Sequence, residues 1–439
     1  MSHRTKAFLL LLLLLLPVAA TCGQATPDVA QQAVKTKIQH AIREGARRLD
    51  LSYMGITSLP PEIGQVTTLT YLDLSDNELT ALPPEIGQLS ALSTLNISHN
   101  QITRLPSEIG ELESLEMLWA YDNELDSLPR EIGQLRQLRY LSLNQNPLTY
   151  LPDEFAQLEN LTSLDLCQNR LDQFPPQIAR LSNLRVLNVC SNELREFPPA
   201  ILDLTDLTNL GLEGNNIPTL PPEITLLSQL RLLSLDSNEL ASLPPEIGEL
   251  GELRYLGLGD NHLSDLPLEI GQLQELQVLG LGQNELTTLP PEIGQLNRLE
   301  TLYVYGNGLT SLPPEIGYLA HLTSLSAFSN RLTTLPPEIG RLFSLTEVNL
   351  SMNQLIELPA EFGQLAGLVD LDLSRNQLIK LPPQIGGLIN LVDLDLYGNR
   401  LIALPPQMDQ LVNLQRLDIR ENPIEEMPRG LPEGVTILK

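Results

Sequence analysis

Cys167 and Cys190 are 23 residues apart, and that interval is the period of almost the whole chain. Two thiols can form a disulfide, bind a metal or act as a redox couple. No Cys-x-x-Cys occurs, and His3, His40, His99, His262 and His321 are scattered, with no pair at metal-ligand spacing. There is no Gly-rich phosphate loop and no Gly-x-Ser-x-Gly elbow. No base–nucleophile pair stands out, so the expectation is a protein that is not an enzyme and has no cofactor or metal. The remaining side chains suited to chemistry are suited to contact. Met117, Trp119 and Tyr121 form one group, followed by Tyr140; Tyr255, Tyr303, Tyr305 and Phe328 form a second, with Tyr397 further on. Toward the end, Asp370, Asp372, Asp393, Asp395 and Asp418 accumulate among Arg375, Arg400, Arg416 and Arg420.

The elements that must position these side chains are repeats. Residues 69–91 read LTYLDLSDNELTALPPEIGQLSA, with apolar residues at positions 1, 4, 6, 11, 14, 18 and 21. The frame restarts every 23 residues through position 414, and a weaker copy begins at Ala46, giving 17 copies without insertion or loss. Positions 3 to 7 predict a short strand, with positions 4 and 6 inward and 3, 5 and 7 outward. Such strands stack in parallel about 4.8 Å apart, giving an inner face about 80 Å long. Asn occupies position 9 in 16 of the 17 copies and predicts a ladder of amides satisfying buried backbone groups. Proline at position 15 of every copy bars the strand from continuing and leaves room for one helical turn. Position 17 is Glu in 12 copies, which suits the start of that turn and draws an acidic stripe along the outside.

The fold class expected is an α/β solenoid, a horseshoe with a parallel concave sheet and short helical turns on the convex side. Aromatics exposed on such a sheet either bind a partner or pack across strands. Between the two aromatic groups, Gly211, Gly257 and Gly280 at position 5 and Gly259 and Gly282 at position 7 leave a bare floor. This reads either as a groove for a chain-like ligand, peptide or glycan, or as drift in a redundant array. The stacked aspartates call for the nearby arginines, a basic ligand or calcium as counter-charge. Cys167 and Cys190, both at position 7, should be neighbours within disulfide reach.

Residues 1–20 have the pattern of a signal peptide: Arg4 and Lys6, eight consecutive leucines from Leu9, then small residues Ala19 and Ala20. The apolar run is short for a membrane span. Thr21-Cys22 loosely resembles a lipoprotein cleavage site, which would anchor the chain at Cys22. Residues 21–45 predict a linker and capping helix, with Asp28 the cap, Val34, Ile38, Ala41 and Ile42 on one face, and Gly45 at its end. The solenoid then runs over 46–439, and residues 435–438 could add a closing strand. The formal charge of −27 repels nucleic acid and favours basic or neutral partners.

LPPEIGQL after LxLxxNxLxxLP, as in residues 82–89, 243–250, 289–296 and 312–319, resembles the leucine-rich repeats of plant Ras-group, Erbin and Scribble-like scaffolds and of bacterial leucine-rich repeat domain proteins. The resemblance spans residues 46–431. It implies a curved scaffold that binds protein and performs no chemistry. The eukaryotic scaffolds are cytoplasmic, whereas this chain carries a signal pattern. The expectation is an exported or cell-surface scaffold whose concave face holds a protein partner. A carbohydrate-binding or adhesive surface module and an intracellular signalling scaffold are the alternatives.

Overall fold

The computed structural model describes residues 27–425, 431 and 433–439. The signal-peptide segment and Cys22 lie outside the described residues.

The chain forms one parallel sheet of 18 strands, each paired with its neighbours in sequence. Strand β2, Tyr71–Asp73, pairs with β3, Thr94–Asn96, in the register Tyr71↔Thr94, Leu72↔Leu95 and Asp73↔Asn96. That 23-residue step carries through to β17, Arg416–Asp418. The closing strand β18, Thr436–Leu438, pairs with β17. Each strand is three residues long, not the five expected from positions 3 to 7. The chain leaves the sheet at position 8, which has positive φ throughout, as at Asp76 (φ 55°), Ser237 (φ 54°) and Met352 (φ 55°). Glycine fills this slot three times, at Gly214, Gly306 and Gly398. Ladder hydrogen bonds nevertheless continue past the strand, as from Leu74 N–H to the Asn96 carbonyl at 2.8 Å.

Leu72, Leu74, Leu79, Ile86 and Leu89, with their equivalents, form a single core along the solenoid. The position-9 amides complete it. Asn238 donates to the carbonyls of Leu212 (3.0 Å), Leu235 (3.1 Å) and Asp236 (3.3 Å), and accepts from Ile217 N–H at 3.0 Å. The same pattern recurs along the array, at Asn100, Asn284 and Asn376 among others.

On the convex side each repeat makes one short 3-10 turn, as at Pro84–Gln88. These turns pack closely because position 19 is usually glycine. A Cβ at Gly87 would lie 2.7 Å from the Glu108 carbonyl oxygen of the next repeat. Ala156, Ala179, Leu202 and Thr225 replace that glycine in four successive copies. The position-17 glutamates stand beside these junctions and are half-buried, as at Glu85 and Glu246.

Helix α1, Pro27–Glu44, covers the first repeat with Ala30, Val34, Ile38 and Ala41 buried and Ile42 partly so. It starts at Pro27, so position 28 lies within it. Gly45 ends it at φ 59°. Gly45 N–H bonds the Ile42 carbonyl and Ala46 N–H bonds the Ala41 carbonyl, a Schellman closure. Among the described residues no helix is long and apolar enough to cross a membrane.

Candidate functional site

Positions 3, 5 and 7 of successive strands form three rows across the concave face. Many outward groups are already engaged within their own strand. Asp73 Oδ1 accepts from Ser75 N–H at 2.9 Å and from its hydroxyl at 2.6 Å. Asp372, Asp395 and Asp418 likewise accept the N–H of Ser374, Tyr397 and Arg420. The position-5 carboxyl therefore has a structural role, and Ser75, Ser98 and Ser351 at position 7 are buried despite facing outward.

The first aromatic group is brought together in part. The Trp119 and Tyr140 rings lie 5.7 Å apart, tilted by 50°. Tyr121 instead packs edge-on against His99 at 4.9 Å. Met117 is exposed beside them, and Ala120 between Trp119 and Tyr121 is fully buried. A depression of about 410 Å³ lies here, walled by Trp119, Tyr121, Tyr140 and Tyr71. Burial raises the phenol pKa of Tyr140. Arg48 sits 3.8 Å above the Tyr71 ring, whose hydroxyl donates to Asp73 at 2.9 Å.

The second group divides. Tyr305 and Phe328 stack at 4.7 Å and 4°, and Tyr303 meets Tyr305 edge-on at 6.4 Å. Tyr255 stands apart beside Asp236, and burial pushes its phenol up to about 12. The glycine floor between is partly covered by its neighbours. A Cβ on Gly282 would fall inside the Tyr305 ring, and one on Gly257 inside the Asp236 carboxyl. Asp236 Oδ1 also accepts Gly259 N–H at 2.7 Å. These glycines admit adjacent side chains; at Gly280 alone of this set a Cβ would meet only ordinary van der Waals contacts, the nearest at 3.7 Å. Burial raises the Asp236 carboxyl, a position nothing in its sequence context singled out.

Cys167 and Cys190 are joined by a disulfide, their Cα atoms 4.4 Å apart on adjacent repeats. Their donor atoms and that of Glu213 lie within 4.8 Å of one another, but the bond occupies both sulfurs.

At the far end a trough of about 400 Å³ runs from Tyr303 to Arg416. Arg416 reaches Asp393 at 3.0 Å, Asp395 at 3.7 Å and Asp418 at 3.8 Å. Arg420 pairs with buried Asp418 through two bonds, at 3.0 and 2.6 Å, and this holds the Asp418 carboxyl below its ordinary value. Arg375 and Arg420 lie 5.6 and 5.5 Å from the Tyr397 ring. Two of the four arginines expected to balance the aspartates therefore do so directly, whereas Arg375 turns to an aromatic ring. Burial, reinforced by neighbouring carboxylates, raises Asp370 and Asp395.

A parallel sheet built from one 23-residue unit, with an amide ladder and short convex turns, defines a leucine-rich repeat solenoid. The description "Leucine-rich repeat region" matches residues 45–129, 122–210 and 244–335, and "Leucine rich repeat" matches 320–378. The chain belongs to the leucine-rich repeat family. It is similar to a leucine-rich repeat protein of Leptospira interrogans, at 40% identity over 91% of this chain and 97% of that one, with a TM-score of 0.80. The plant peptide hormone receptor RGFR1, solved in complex with RGF2, is 28% identical over 88% of this chain and 72% of the receptor, with a TM-score of 0.69. An internalin of Listeria monocytogenes shares the fold at 22% identity and a TM-score of 0.62, covering 79% of this chain and 95% of its own. Among curated proteins no relative matches. The family is in general a non-enzymatic, protein-binding fold, and solenoids of this kind offer extended concave surfaces to their partners.

Proposed function

We propose that this chain is an exported, non-enzymatic scaffold that holds a protein partner on its concave face. The observation that carries this reading is the Trp119–Tyr140 pair, which lines an open depression instead of joining the core. Aromatic side chains presented this way are enriched at binding hot spots. The plant receptor solved with a peptide hormone supports a protein or peptide partner, and the pattern of residues 1–20 supports export.

The test is crosslinking on the native cells, with fractionation of the same material. The expected result is a specific protein partner in the exported or surface fraction, with capture reduced roughly tenfold or more by Trp119→Ala. Capture unchanged in variants of both aromatic groups would remove the concave face from the reading. Retention on glycans in place of protein would establish the carbohydrate-binding alternative.

A further inference from the structure

Building on the reading that the concave face binds protein, we propose that its C-terminal part, from Tyr303 to Arg416, takes an extended basic peptide segment. Cationic side chains of the peptide pair with Asp370 and Asp372, and an apolar or aromatic side chain rests against the Tyr303–Tyr305–Phe328 wall.

The repeat provides an internal example of the contact. Asp393 and Asp395 lie on one strand, at positions 3 and 5, and the next strand supplies the Arg416 guanidinium that spans them. One strand earlier, Asp370 and Asp372 hold the same two places, in register with Asp393 and Asp395. There the adjacent strand brings further carboxylates in place of an arginine. Among the described residues no Lys or Arg lies within ion-pairing distance of Asp370 or Asp372. The five carboxyl groups Asp370, Asp372, Asp393, Asp395 and Asp418 face the two guanidiniums of Arg416 and Arg420, a formal charge of −3, with Arg375 turned to Tyr397 at the rim.

The occupant follows from charge and shape together. The acidic groups follow two rows along successive strands, which suits cations spaced along a chain better than a single compact ion. Tyr303 lines the opposite end of the same trough from Arg416, and Tyr305 and Phe328 continue from it through ring contacts. Tyr305 and Phe328 stack face to face and Tyr305 lies over Gly282, so the ring edges and the outer face of Phe328 remain for an apolar side chain. Six strands span the trough, about 24 Å at 4.8 Å per step, the reach of about seven extended residues. Nucleic acid is excluded by sign.

The test uses the full chain and a dye-labelled peptide of about seven residues alternating arginine and tyrosine. Binding is followed by fluorescence anisotropy at low and high salt. Control peptides carry glutamate for arginine, or alanine for tyrosine. The expected result is saturable binding of the basic aromatic peptide that weakens with salt, and no binding of the acidic one. Asp370→Asn combined with Asp372→Asn should weaken it about tenfold, the scale of charge-assisted hydrogen bonds. Tyr305→Ala should weaken it while the salt dependence persists. Both substitutions at the aspartates keep the side-chain shape, and thermal melting followed by circular dichroism checks that those variants and Tyr305→Ala remain folded. Equal binding of the acidic peptide, or an affinity unchanged by the double Asp→Asn variant, would overturn the proposal. If the peptide fails while a partner is still captured through Trp119, this inference falls and the concave-face reading stands.

Discussion

Asn238 illustrates how one side chain ties two repeats together. Its amide satisfies three carbonyls and one N–H that have left the strand ladder, all in a buried turn. Each bond left unmade there costs about 1–3 kcal/mol. Asn238→Leu should therefore lower stability by at least about 2 kcal/mol, read as an earlier urea midpoint; an unchanged midpoint would show that the amide ladder is dispensable. Asp236 is a residue-scale case with the opposite sign. Burial holds its carboxyl above the ordinary 3.8, so the folded chain keeps a proton that the unfolded chain has already released. The group's contribution to stability is then lost as pH rises through the raised value. Asp236→Asn should gain stability relative to the parent between about pH 4 and about pH 7, measured as the difference in melting temperature across that range. A pH-independent difference would mean that Ser234 and the Gly259 N–H fully offset the burial. The asparagine's role was legible because the residue recurs at one place in the period. Asp236 was not legible, because only the folded chain lays it over Gly257 and Gly259.

The structural element of this molecule is the junction between repeats. On the convex side the limiting contact is a position-19 glycine against the next turn's carbonyl. At Gly363 a Cβ would fall inside the Gln384 carbonyl, a backbone group that cannot rotate away. Gly363→Ala should cost about 1–3 kcal/mol, seen in thermal unfolding, as for other insertions into a packed interior. A neutral result would show that the turns can separate at little cost, as they must where Leu202 and Thr225 occupy this slot. On the concave side, positive φ at position 8 ends each strand after three residues. The three glycines at that slot carried the signal in the sequence. They were hidden among Asp, Gln and Ser, which also tolerate the left-handed region when a turn requires it.

Across the whole molecule, each repeat contacts only its neighbours, so stability is a sum of local interfaces capped at the two ends. A covalent link between adjacent repeats should therefore act locally. The Cys167–Cys190 bond closes a loop of about two dozen residues, for which chain entropy gives about 3 kcal/mol. Cys190→Ser should lower the melting temperature of the array, and mass measured with and without reductant checks that the bond forms in the isolated protein. A variant as stable as its parent would leave the bond without a stabilising role.

The sequence alone determined the class of structure: the period, the inward leucines, the amide slot, the turn proline, the capping helix and the closing strand. These are local or nearest-neighbour features, and a strict 23-residue frame repeats them until they cannot be misread. It also determined which side chains share a row, because register in a parallel array follows from the period. Only the tertiary structure decided which of those side chains meet. Trp119 turned to Tyr140 and Tyr121 to His99; Tyr305 lay over Gly282; Arg416 bridged its aspartates while Arg375 turned to Tyr397. Those outcomes depend on rotamers and on which neighbour reaches a space first, and the repeat pattern carries no record of them.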